Sequence, residues 1–81
     1  MKIKVKLFYH LKARAGTSEV NLEMPSNATI RDIKNNLETQ FPQLRAQLDN
    51  VMILMDKKIV LETDQAKDNA EISFLTPVGG G

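Results

Sequence analysis

Only one stretch of the chain carries a sustained helical period. Ile30, Ile33, Leu37 and Phe41 recur on a single stripe, with Arg31, Lys34, Asn35, Glu38 and Gln40 off it. Thr29 precedes the stripe and Asp32 stands three residues later, the spacing of a capping box. Asp reaches less far than Glu, so the box is expected to be imperfect, although its charge suits a helix N-terminus. Pro42 disfavours helical geometry at Phe41 and ends the element. A helix with one apolar stripe must cover one face of something else. That requirement limits the chain to folds in which a single helix lies against a sheet.

The remaining segments predict that sheet. Residues 2–9 alternate, with Ile3, Val5, Leu7 and Tyr9 on one side and Lys2, Lys4, Lys6 and Phe8 on the other. This is the period of a half-buried strand. "HLKARAGT" predicts a single helical turn stopped at Gly16. "SEVNLEM" alternates again and predicts a second strand, antiparallel to the first. Leu44 and Leu48 suggest a further short turn after the main helix. "VMILM" reads as a buried strand, "DKK" as a polar turn and "IVLE" as a short strand. "EISFLTPV" reads as the last strand; Pro77 cannot donate to a ladder, so regular pairing ends by there. The order β–β–α–β–β–β predicts an α+β fold, a mixed sheet wrapped around one main helix.

Composition narrows the function. At 81 residues, one domain spanning 1–81 is expected. A chain of this size buries a little over ~60% of its unfolded surface, which leaves little room for a deep active-site cavity. Eleven basic residues face 10 acidic ones, for a net charge of +1. That balance argues against a nucleic-acid partner and gives no reason to expect a membrane partner. There is no apolar run of transmembrane length and no signal-peptide h-region, so a cytoplasmic location is expected. Cysteine is absent, which excludes disulfides, thiolate metal sites and a cysteine nucleophile. The acidic residues form no D-x-D or H-E-x-x-H arrangement, so no metal site is expected. His10 has no patterned partner and reads as surface. Lys2, Lys4 and Lys6 read as a solvated strand face, with a docking patch for an acidic partner as the sharper alternative. Lys57 and Lys58 read as a polar turn.

The chain closes on "FLTPVGGG". The glycines are no phosphate loop, because such a loop must lead into a helix N-terminus. Residues 77–81 are expected to form a flexible tail. Five extended residues reach roughly 17 Å at ~3.4 Å each. With no side chain after Val78, such a tail can enter a channel barely wider than a backbone and deliver the Gly81 carboxylate into another protein's active site. On the residues alone, a passive flexible end stays open as well.

Three segments carry a family resemblance. They are "VKLFYHLKARAGT", "ATIRDIKNNL" and "FLTPVGGG". The layout resembles the ubiquitin-like β-grasp sulfur carriers of the MoaD/ThiS family over essentially the whole chain. It is more similar to the small subunit of molybdopterin synthase (MoaD type) than to the thiamine carrier (ThiS type), which usually lacks the helical insert after strand one. The family tail reads F-x-P-P-V-x-G-G, so the diglycine maps to Gly80 and Gly81 and Gly79 fills the variable position. Thr76 departs from the first proline, "DNAEI" departs from D-G-D-E-V, and Lys12 stands where arginine is common.

The resemblance implies a non-catalytic carrier subunit, not an enzyme, with no bound cofactor. A MoeB-like adenylyltransferase would use ATP to adenylate the Gly81 carboxylate. A sulfur donor, a persulfide sulfurtransferase, would convert it to a thiocarboxylate. The tail would then enter a MoaE-like large subunit of molybdopterin synthase and give sulfur to cyclic pyranopterin monophosphate, in molybdenum cofactor biosynthesis. Gly80 and Gly81 would be the reactive pair. Leu75, Pro77, Val78, Gly79 and Phe8 would contact the partner, and Phe74 would be core because alternation puts it opposite Leu75. Delivery to thiamine or to a transfer-RNA base is an alternative acceptor. A ubiquitin-like modifier conjugated through Gly81, and a plain interaction module, are alternatives of other classes.

Overall fold

Lysines and hydrophobes alternate along Lys2–Leu7 because these residues form strand β1, with Ile3, Val5 and Leu7 buried beneath the sheet. The computed structural model describes residues 1–76. Helix α1 (Tyr9–Ala15) follows, then β2 (Glu19–Glu23), the main helix α2 (Ile30–Gln40), a 3₁₀ turn (Pro42–Leu44) and helix α3 (Arg45–Leu48). Strands β3 (Met52–Met55), β4 (Lys58–Ile59) and β5 (Glu71–Leu75) complete the order. The sheet runs β2-β1-β5-β3-β4. β1 and β5 are parallel, while the β1–β2, β3–β5 and β3–β4 pairs are antiparallel. This is the ubiquitin-like β-grasp, with the predicted mixed sheet curled over one main helix.

The apolar stripe of α2 is why the layers meet. Ile30, Ile33 and Leu37 are fully buried against Ile3, Val5, Leu7, Leu22, Ile53, Ile72 and Phe74 of the sheet. Leu11, Leu44 and Leu48 close the ends of the core, and Phe41 packs half-buried against it. The capping box is complete, despite the short reach of Asp. The Asp32 amide donates to Thr29 Oγ1 at 3.3 Å, and the Thr29 amide donates to Asp32 Oδ2 at 3.0 Å.

Two local expectations change. The first strand stops at Leu7, so Tyr9 does not join the inward row. Its φ of 53° turns the chain out of the sheet and into α1, and its side chain is exposed. Helix α1 has seven residues, about two turns where a single turn was expected. Its end is as expected: Gly16 caps it in the left-handed region at φ 77° and donates to the Lys12 carbonyl. The fourth strand is shorter than "IVLE" and begins one residue earlier, at Lys58.

Backbone geometry accounts for the departure at "DNAEI". Asn69 has φ 64°, a conformation that asparagine tolerates better than most residues. Its amide donates to the Lys2 carbonyl at 2.8 Å, and the Lys2 amide donates to Asp68 Oδ1 at 2.8 Å. The loop thus ties the start of β1 to the entry of β5. The β3–β4 hairpin is less well served by its residues. Asp56 and Lys57 both have positive φ, 50° and 72°, as a two-residue type I′ turn requires. Lysine gains nothing there. Lys57→Gly is expected to raise stability by about 1 kcal/mol, the left-handed cost less glycine's entropy. That corresponds to a rise of about 4–8 °C in melting temperature for a domain of this size. A fall on thermal denaturation would show that the Lys57 side chain holds the hairpin.

Candidate docking face and tail exit

Strand alternation divides the sheet into a face that meets the helices and a face that does not. The second face differs across its width. At the β2–β1 side it carries Lys2, Lys4 and Lys6 against Glu19, Asn21 and Glu23. Lys4 Nζ pairs with Glu19 Oε1 at 3.4 Å, and Lys6 Nζ with Glu71 Oε1 at 3.0 Å. Two of the three lysines are therefore answered by carboxylates of the same face, which favours the solvated-face reading over an acid-seeking patch. The hydrogen bond to Glu71, and then its charge, raises the Lys6 pKa above the ordinary 10.5. A raised lysine pKa contributes to stability below the unfolded value and loses that contribution as pH climbs through the folded one. The pair is therefore intact throughout the neutral range. Being exposed, it contributes little.

Toward the β3–β4 side the same face becomes apolar. Leu75 lies opposite Met52, and Leu54 opposite Ile59. Continuing the β1–β5 register by one pair places Phe8 beside Leu75, and continuing the β3–β4 register by two, the first held by the Val60 amide donating to the Ile53 carbonyl at 3.0 Å, places Leu61 beside Met52. The row Phe8, Leu75, Met52, Leu61 thus crosses the sheet from β1 to the segment after β4, with Leu54 and Ile59 in the row behind. Met52 is 50% exposed, Leu61 67% and Ile59 72%, whereas Phe8, Leu54 and Leu75 are half-buried. A contiguous exposed apolar patch of this kind marks a contact surface more often than scattered single residues do.

The patch adjoins the point where the chain leaves the sheet. Because β1 and β5 are parallel, both end at the same edge: Leu7 pairs with Phe74, and Phe8, still extended, continues that register beside Leu75, while Tyr9 turns away into α1. Phe74 is buried and Leu75 faces outward, as alternation predicts. The other expected contact residues, Pro77, Val78 and Gly79, and the reactive pair Gly80 and Gly81, lie outside the described residues. Met52, Leu54, Ile59 and Leu61 were missed by sequence reasoning, which took "VMILM" as wholly buried. A signal for Met52 and Leu54 existed: a sheet covered by helices on one face needs only alternate apolar positions, and the segment Val51 to Met55 has five in succession.

His10 is exposed. Among the described residues, no three His, Cys, Asp or Glu side chains are grouped to hold a metal ion. No helix among them is long and apolar enough to cross a membrane.

Comparison with known proteins gives a consistent answer. The family model described as the ThiS family matches residues 5–81. No curated protein matches the sequence. Among solved structures, small archaeal modifier protein 1 from Haloferax volcanii aligns over 100% of both chains, with TM-score 0.92 at 22% identity. Molybdopterin converting factor subunit 1 from Pyrococcus furiosus covers 96% of this chain and 99% of its own, with TM-score 0.87 at 24% identity. The complex of subunits 1 and 2 of the molybdopterin-converting factor from Helicobacter pylori includes a chain that aligns over 100% of both, with TM-score 0.74 at 20% identity.

Proposed function

The chain belongs to the ThiS family of ubiquitin-like sulfur carriers, and on that footing we propose that it carries sulfur as a thiocarboxylate on Gly81 for molybdopterin synthesis. The observation that carries the reading is the diglycine Gly80–Gly81 within the family match, following a β5 strand whose outer face ends on Leu75 in an apolar row. A carboxylate is a poor acyl donor. An adenylating partner gives it a leaving group: a Gly81 oxygen attacks the α-phosphorus of ATP and pyrophosphate departs. A persulfide sulfur then attacks the acyl carbon and AMP leaves. A donor thiol reduces the resulting acyl disulfide, releasing the thiocarboxylate and a donor disulfide. This chain has no cysteine, so every thiol in the sequence of steps belongs to a partner and the sulfur rides on the main chain.

The apolar row beside the tail exit is the docking surface in this reading. It seats the domain on the adenylating enzyme and then on a large synthase subunit. The binding energy of that contact offsets the entropy of ordering three glycines. A second reading, protein conjugation through Gly81, is motivated by the likeness to the archaeal modifier protein.

Intact mass distinguishes them. Incubation with an adenylating enzyme of this type, ATP and a persulfide donor is expected to replace one oxygen of the chain by sulfur. Cross-linked species of higher mass would favour the modifier. An unchanged mass with every such enzyme would overturn the carrier reading.

A further inference from the structure

We propose that Tyr9 is a specificity residue for the enzyme that receives the Gly81 carboxylate, and that its strained backbone holds the ring ready at the tail exit. The inference rests on the carrier reading. Tyr9 adopts φ 53°, in the left-handed region where the Cβ of an L-residue meets the following carbonyl oxygen. For a bulky side chain this is a true outlier. The fold gains little in return. The side chain is 63% exposed, its one aromatic neighbour is Phe8 with ring centroids 6.4 Å apart, and among the described residues its hydroxyl has no hydrogen-bond partner.

The other non-glycine residues with positive φ are Asp56, Lys57 and Asn69. All three sit at polar turns remote from the tail exit, and two are Asp or Asn, which tolerate this conformation. At Tyr9 the chain needs only to turn from β1 into α1, a step that glycine or asparagine would take with less strain. Tyrosine at this position is therefore explained by something other than the fold.

Position supplies the explanation. Tyr9 follows Phe8, the first member of the apolar row, at the edge of the sheet where β1 ends on Leu7 and its parallel partner β5 ends on Leu75. Strain held by surrounding structure is a recurring device for presenting a functional side chain. A ring whose Cα–Cβ direction is already set loses less freedom on binding than one on a mobile loop. Tyrosine combines a large apolar body with a hydroxyl that seeks a partner. The complementary surface is thus an apolar slot with a hydrogen-bond acceptor at its base, next to the channel that takes the tail.

The test uses the adenylating enzyme that produces the mass gain on the wild-type chain. Tyr9→Gly is expected to raise the melting temperature by about 4–8 °C through relief of strain. The same variant is expected to raise the KM of that enzyme for the carrier by about tenfold or more, the effect of losing a central aromatic contact, with kcat unchanged. Tyr9→Phe keeps the wild-type melting temperature and a KM between the two. An unchanged KM for Tyr9→Gly would overturn the proposal, and so would a lowered melting temperature, which would make the ring a structural element. Failure of the wild-type chain itself to gain sulfur would sink the carrier reading and this assignment together. Wild-type turnover with unaltered variant kinetics would sink this assignment alone.

Discussion

Removal of Gly81, or addition of one residue after it, is expected to abolish adenylation and sulfur loading while leaving the melting temperature unchanged. The chemistry requires one carboxyl carbon at one place. Moving the terminus by a residue displaces it by ~3.4 Å, and a misplacement of about 1 Å can already cost ~100-fold. Loading should therefore fall to background, read as no mass gain after incubation with the adenylating enzyme, ATP and the sulfur donor. The fold should be indifferent, because the core is complete with Phe74. A circular-dichroism melt that matches wild type separates lost chemistry from lost structure. Survival of sulfur loading in either variant would end the proposal that the tail is the reactive part.

The second large effect contrasts two adjacent residues. Phe74 is 0% exposed at the centre of the sheet, between Leu7 and Ile53. Phe74→Ala is expected to cost about 3–5 kcal/mol. At about 0.05–0.15 kcal/mol per residue, a chain of this size holds only roughly 4–12 kcal/mol in all, so the variant should be largely unfolded or close to it in urea titrations. Leu75 points the other way, against Met52 on the outer face. Leu75→Asp should change stability by no more than about 1 kcal/mol. It should nonetheless raise the KM of the adenylating enzyme by at least about tenfold, because a partner contact there would have to bury a charge. The opposite pattern, an unfolded Leu75→Asp and an intact Phe74→Ala, would mean that the two faces of β5 are assigned the wrong way round.

Much of this arrangement could be read before any coordinates. The stripe Ile30, Ile33 and Leu37 and the Thr29–Asp32 cap identified α2 correctly, because helix period and capping depend on residues within a turn or two of each other. Alternation placed Ile3, Val5, Leu7, Ile72 and Phe74 in the core for the same local reason. It failed at Tyr9, where the pattern continued past the end of the strand. A single backbone angle, not a change in hydropathy, ends β1 there. It was also incomplete at Met52 and Leu54, since a run of apolar residues does not say which face will be covered.

The sequence by itself determined the fold class, the apolar side of each long element and the glycine-rich segment that the family match includes. These depend on short-range periodicity and on residue chemistry. The order β2-β1-β5-β3-β4 was decided only by the tertiary structure. Strand pairing joins residues far apart in the chain, and their hydropathy pattern fits more than one order of neighbours. From that order follows the site. Pairing the first strand with the last, in parallel, brings Phe8 beside Leu75 and starts α1 at Tyr9 on the same edge, and pairing the last with β3 extends the apolar row through Met52 to Leu61.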